Sequence, residues 1–291
     1  MTESFKIGFL ASGSFLKKSI PEICDYLKSL GYDAVEWLIG TVDPRKKKES
    51  DIAAVFRDTK NSGLEISEVV IQRDMVVTDE SERQNNINYT IECIEALSPF
   101  GVKIFNLFTG PIPWLKNPLR IGTDISMGTA WNMVFDAIDK ILPVAEKHDA
   151  VIALESVWGM LAHDFYTTKY LLNHYRSPSI GINFDPSHDI LSGNYDIAWI
   201  IRQWGKERIK HVHLKDAAGV QEGERFVFPL LGEGKINWKS FKEAMREIAY
   251  SGVMSVEFES FAYLANVLDG SMEEAARISM DCIKKLFRSS V

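Results

Sequence analysis

Eight short runs rich in β-branched and aromatic residues recur along the chain, most of them followed by an amphipathic stretch. This alternation narrows the fold more than any other feature. The runs cover residues 6–12, 34–38, 66–71, 103–109, 151–156, 180–185, 210–215 and 254–259, and helical periodicity covers 20–30, 50–62, 82–98, 129–149, 167–175, 238–250 and 272–287. The sixth crossover, at 197–203, carries the weakest pattern. Several runs are nearly continuous in apolar residues, as in Val151-Ile152-Ala153-Leu154, which is what a parallel strand covered on both faces requires. Repeated βα units build either an open doubly wound sheet or a closed barrel, and a count of eight favours the barrel. Neither a Gly-rich phosphate fingerprint after the first run nor a P-loop is present, since Ala11-Ser12-Gly13-Ser14 is too short and generic. The expected fold class is α/β, a single (β/α)8 TIM barrel, with residues 1–291 forming one domain. The Pro-rich 110–118 segment reads as a loop over the barrel mouth.

In such barrels the reactive residues gather at the carboxyl ends of the strands. Run five ends in Glu155, run six in Asp185, run seven carries His213 and run eight Glu257, spaced 30, 28 and 44 residues apart. Each spacing is about one βα unit, so the four side chains stand at matching heights. A lone acidic residue at a strand end commonly caps the next helix, but four in series are harder to explain that way. Three carboxylates buried together repel one another and lose hydration unless a cation lies among them. The expected cofactor is therefore one divalent metal ion held by Glu155, Asp185, His213 and Glu257. The oxygen-rich set suits Mn²⁺ or Mg²⁺ and is compatible with Co²⁺ or Zn²⁺.

The stretches Asn183-Phe184-Asp185-Pro186-Ser187-His188, His211-Val212-His213-Leu214-Lys215-Asp216, Pro229-Leu230-Leu231-Gly232-Glu233-Gly234 and Ser255-Val256-Glu257 resemble the signature of the xylose isomerase-like TIM-barrel superfamily. That group includes sugar epimerases, inosose dehydratases and isomerases, hydroxypyruvate isomerases and abasic-site endonucleases. The resemblance spans nearly the whole chain and implies the same four metal ligands, with His188 touching substrate. Departures narrow it. Where ketohexose 3-epimerases carry a second glutamate this chain has Gly159, Met160 and Leu161, and Asp216-Ala217-Ala218-Gly219 follows the seventh run without the arginine that grips substrate. The endonuclease branch needs early histidines, and none precedes His148.

A bound divalent ion that polarises a carbonyl acidifies the adjacent C–H, so an enediolate becomes accessible. Glu155 and Glu257, on strands separated by two others, are the expected catalytic pair, one removing and one returning a proton. Substrate contacts are expected from His188, from Glu36 across the mouth, from Lys215 and from Trp114. Trp37, Phe108 and Trp158 are further rings near strand ends that could cover sugar C–H faces. His211 is read as structural support, Glu259 as a second candidate ligand, and Asp216 as either a substrate or a turn contact. The expected function is an isomerase or epimerase of a sugar, keto-sugar or cyclitol. A lyase or dehydratase of an inosose or 3-keto sugar is the alternative, and a non-catalytic sugar-binding barrel a third reading.

Composition excludes other classes. With 33 Lys and Arg against 40 Asp and Glu, the net charge of -7 repels a polyanion, so nucleic acid is not an expected partner. A small carbohydrate is, with homo-oligomerisation left open. A phosphorylated substrate would find only a weak anion site at Gly232-Glu233-Gly234-Lys235. Three scattered cysteines, Cys24, Cys93 and Cys282, have no ligand spacing and fit a reducing compartment. No leader-like or membrane-length apolar stretch is read from the sequence, so a cytoplasmic protein is expected.

Overall fold

All eight runs form parallel strands, and the strands close on themselves. In the computed structural model, which describes residues 5–288, they are β1 (Lys6–Ala11), β2 (Ala34–Leu38), β3 (Glu65–Val70), β4 (Ile104–Phe108), β5 (Val151–Glu155), β6 (Ile180–Phe184) and β7 (Ile209–Leu214). Then β8 (Ala218–Val220) and β9 (Arg225–Val227) pair as an antiparallel hairpin outside the barrel, and β10 (Val253–Val256) completes the closed order β1-β10-β7-β6-β5-β4-β3-β2. The fold is the expected (β/α)8 barrel. The ends of the expected 1–291 domain, residues 1–4 and 289–291, lie outside the described residues.

Local chemistry explains the helices between the strands. Ser19 and Glu22 form a reciprocal capping box before Ile20–Leu30, Pro21 occupies its first turn, and Gly31 ends it in the left-handed conformation. Asp79, Ser126, Asp164, Asp196, Asn237 and Ser271 each cap a later helix with a side-chain oxygen. The sixth crossover extends further than its pattern indicates, as the helix Ile197–Arg208. Among the described residues no helix is long and apolar enough to cross a membrane. Cys24 and Cys93 are buried, and all three cysteines are free thiols on helices.

Alternate residues along a strand point in opposite directions. On β7, Val212 and Leu214 join the apolar core, with Trp37 of β2 and Phe105 and Leu107 of β4. Trp37 is therefore a core residue and does not reach the mouth. The other set, His211 and His213, faces a buried polar layer described below. The eighth barrel strand stops at Val256, earlier than its sequence pattern suggests, so Glu257 and Glu259 stand on the loop beyond β10. Three further elements were not apparent in the sequence: the hairpin, and the short helices Pro186–Leu191 and Phe261–Asn266. All three surround the mouth.

Candidate metal centre and substrate cavity

Ligand atoms of Glu155, Asp185, His213 and Glu257 lie within 4.8 Å of one another, at the ends of four adjacent strands. His213 is the hub. Its Nδ1 is 3.2 Å from Glu155 Oε1 and 3.3 Å from Glu257 Oε2, while Nε2 is 2.9 Å from Glu36 Oε1. Burial alone would favour the neutral ring, but Glu36, Glu155 and Glu257 outweigh it and hold the imidazole protonated far above its ordinary range. Asp185 serves two neighbours. As the N-cap of Pro186–Leu191 its Oδ1 accepts from the Ser187 amide at 2.9 Å, and its buried Oδ2 is left without a well-directed hydrogen bond.

The crowding of three carboxylates about one imidazole and the absence of thiol from the cluster fit a hard divalent cation. Glu155, Asp185 and Glu257 would give oxygen, and His213 would give Nδ1 on losing the proton that the carboxylates otherwise hold there. Lys215 partly offsets the charge: its ammonium lies 2.5 Å from Glu257, 2.8 Å from Glu259 and 2.9 Å from Asp185. Burial opposes that ammonium, but the carboxylates win and keep it charged. The same positive neighbours, Lys215 and His213, overcome burial to hold Glu257 near a pKa of about 2. Asp185 is likewise pulled well below the usual carboxylate range by Lys215 and His188.

Glu36 does not reach the mouth. It is fully buried and absent from the cavity wall, because its inward position on β2 lies beneath the ligand level. Its carboxylate accepts from His213 Nε2, which fixes that proton and aims Nδ1 at the other ligands, an arrangement known to orient metal-binding imidazoles. Replacing Glu36 by Gln is expected to weaken metal binding by about 10–100-fold, measured by competition with a metallochromic chelator. Unchanged affinity would remove Glu36 from this role.

Glu36 belongs to a layer that sequence reasoning largely missed. Glu68 of β3 is 3.3 Å from His211 Nδ1 and 3.5 Å from His213 Nε2. Despite complete burial, the two histidines hold Glu68 at a pKa of about 2. Asn106 of β4 donates through one nitrogen to Glu68 at 3.1 Å and to Glu155 at 2.9 Å. His211 contacts Asn183 Oδ1 and Ser255 Oγ, each at 3.0 Å, the structural part expected of it. The available signal was a buried polar residue interrupting six of the apolar strands: Glu36, Glu68, Asn106, Asn183, His211 and Ser255.

Above the cluster opens a cavity of about 970 Å³ whose wall includes Glu155, His188, Lys215, Glu257, Glu259 and Trp114. His188 Nδ1 accepts from the Trp158 amide at 3.2 Å, so in the neutral ring Nε2 carries the proton, 3.3 Å from Asp185. His188 and Lys215 thus stand where a substrate contact was expected. Trp114, half-exposed on the 110–118 loop, lies at the rim. Asp216, in contrast, turns away from the cluster. Oδ1 accepts from the amides of Ala217 and Ile236, and Oδ2 from those of Gly232 and Gly234 and from the Trp238 indole. A Cβ on Gly234 would sit 2.1 Å from Asp216 Oδ1, so glycine is required for that approach.

The short helix bearing His188 is tied down by Asp189. Its Oδ1 accepts from the Phe165 amide at 2.8 Å and from Asn194 at 3.1 Å, and burial raises its carboxyl to about 7. A carboxyl raised on folding adds stability that is full below its unfolded pKa of about 3.9 and is lost as pH rises through about 7. Urea melts between pH 4 and 8 should show this decline, and Asp189→Asn should flatten it. An equal slope in the variant would contradict the assignment.

A model of the xylose isomerase-like TIM barrel matches residues 24–286. The chain is similar to the inosose dehydratase of Lacticaseibacillus casei, 31% identical over a 110-residue alignment, with 32% of this chain and 35% of that one covered. It spans about a third of the length of the curated relatives it matches first. Among solved structures, 3-keto-D-glucoside 4-epimerase YcjR from E. coli superposes with a TM-score of 0.75 at 19% identity, covering 98% of this chain and 100% of that one. IOLI protein with a bound zinc atom gives 0.74 at 20% identity, with the same coverage. With its family signature distributed over the strands that carry the cluster, the chain belongs to the xylose isomerase-like TIM-barrel family.

Proposed function

We propose that this chain, acting as one domain, is a divalent-metal-dependent isomerase or epimerase of a sugar, keto-sugar or cyclitol. The observation that carries the reading is the convergence of Glu155 and Glu257 on His213 Nδ1 at 3.2 and 3.3 Å, arriving from β5 and from the loop after β10. A bound metal would supply polarisation of a substrate carbonyl, which acidifies the neighbouring C–H. Glu155 and Glu257 then remove and return a proton on that carbon, through an enediolate, and opposite faces give epimerisation. Lys215 and the Nε2–H of His188 hold substrate oxygens. Asn106 and Glu36 keep Glu155 and His213 in position from below. The likeness to a 3-keto-D-glucoside epimerase in fold supports this reading.

A dehydratase is the second reading, favoured by the stretch shared with inosose dehydratase. The same proton abstraction would expel a β-hydroxyl as water, with the proton coming from Lys215 or His188. Incubation of metal-loaded protein in heavy water with a panel of keto-sugars and inososes separates the two. Deuterium gain in an isomer of unchanged composition supports the isomerase or epimerase, and a product short of one water supports the dehydratase. Absence of exchange and of product across the panel would contradict both.

A further inference from the structure

The cavity is far larger than its polar floor. At about 970 Å³ it lies near the top of the range of roughly 300–1,000 Å³ that encloses drug-sized ligands, and a single sugar ring would fill only a fraction of it. The wall is graded in chemistry. Its floor carries Glu155, His188, Lys215, Glu257 and Glu259. From there a chain of rings climbs to the rim, Phe228, Phe226, Trp158 and Trp114, with successive centroids 5.3, 4.9 and 6.1 Å apart, and Trp114 meets Phe108, buried at the end of β4, at 6.4 Å. At the lower end Phe228 lies 6.0 Å from the His188 ring and 4.7 Å from the Lys215 ammonium, so the aromatic wall begins at the cluster itself. Phe261 and Val267, 61% and 58% exposed, line the same cavity with Tyr263.

The wall is built in advance of any ligand. Gly219, at a φ of 109°, lets β8 approach so closely that a Cβ there would sit 2.2 Å from the Arg225 carbonyl, and this closure sets the hairpin strand that carries Phe226. Gln221 fastens the hairpin to the helix Pro186–Leu191 and to the turn beside Trp158. Its amide donates to Leu191 at 3.1 Å and its side-chain oxygen accepts from Gly159 beside Trp158.

We infer that the substrate is an aryl glycoside whose sugar ring carries a ketone, its polyhydroxylated ring at the carboxylate cluster and its flat apolar aglycone along the Phe228-to-Trp114 wall. This rests on the sugar reading above and names the substrate class. Hydroxyl groups need donors and acceptors, which the rings lack, whereas a flat aromatic group gains offset or edge contacts with each ring it meets. A protein partner would meet the rim alone. It would leave the rings that descend to His188 without a role.

Titration of the full-length, Mn²⁺-loaded protein with 2-naphthyl, methyl and cellobiose probes tests the assignment. The naphthyl β-glucoside should bind about tenfold or more tightly than the methyl β-glucoside. Trp158→Ala or Phe226→Ala should bring that ratio to near unity, and Trp114→Ala, at a half-exposed position, should lower it without touching the core. Equal affinity of naphthyl and methyl glucosides would overturn the inference, as would an equal gain from the second sugar ring of cellobiose. It would also fall if the three substitutions altered self-association in sedimentation while leaving the ratio unchanged. The keto forms of both glucosides, followed for deuterium exchange, keep the two claims apart. Exchange without aryl preference defeats the subsite alone, and aryl preference without exchange defeats the isomerase reading alone.

Discussion

Glu155→Gln should abolish metal retention and lower deuterium exchange into the substrate by about 10²–10⁴-fold. The substitution is nearly isosteric and removes one negative charge from the cluster about His213. An amide oxygen is a weaker ligand for a hard divalent ion than a carboxylate, and it cannot take up a proton from carbon. The Asn106 contact at 2.9 Å constrains the side chain from below, so the barrel should stay folded, with an unaltered circular dichroism spectrum. A variant that keeps both metal and exchange would show that Glu155 is neither ligand nor base.

Asp216→Ala should cost on the order of 3–5 kcal/mol of unfolding free energy, measured in urea. Four backbone amides and the Trp238 indole point at one fully buried carboxylate. Alanine leaves those donors unpaired where water does not easily follow. Loops at 217 and 232–236 meet through this side chain and one backbone bond, Lys235 N–H to the Ala217 carbonyl at 2.9 Å, and Leu230 and Glu233 of the adjoining segment line the cavity. Substrate affinity should therefore weaken before global unfolding. Loss of less than about 1 kcal/mol would mean that the loops hold without it.

The barrel and the four clustered residues were legible because both follow from strand periodicity. A parallel strand covered on both faces reads as an apolar run, and its last polar residue marks the mouth. Glu155, Asp185, His213 and Glu257 stand together for that reason. The second layer was not legible, since a lone Glu68 or Asn106 within an apolar strand does not say which way it faces until barrel closure sets the stagger. Glu36 was misplaced by the same ambiguity, one level too high. Helix Pro186–Leu191 carried a readable start, an N-cap Asp185 followed by Pro186, yet its short length hid it. The hairpin depends on the close approach of Gly219 to Arg225, and its strands of three residues each are too short to show an alternating pattern.

Metal analysis of the purified full-length protein, after reconstitution with Mn²⁺ and removal of free ion, tests the central claim most directly. About one ion per chain is expected, lost in both Glu155→Gln and His213→Asn. A folded parent that retains no ion after reconstitution, or variants that retain as much as the parent, would contradict the metal centre and the proton-transfer chemistry built on it.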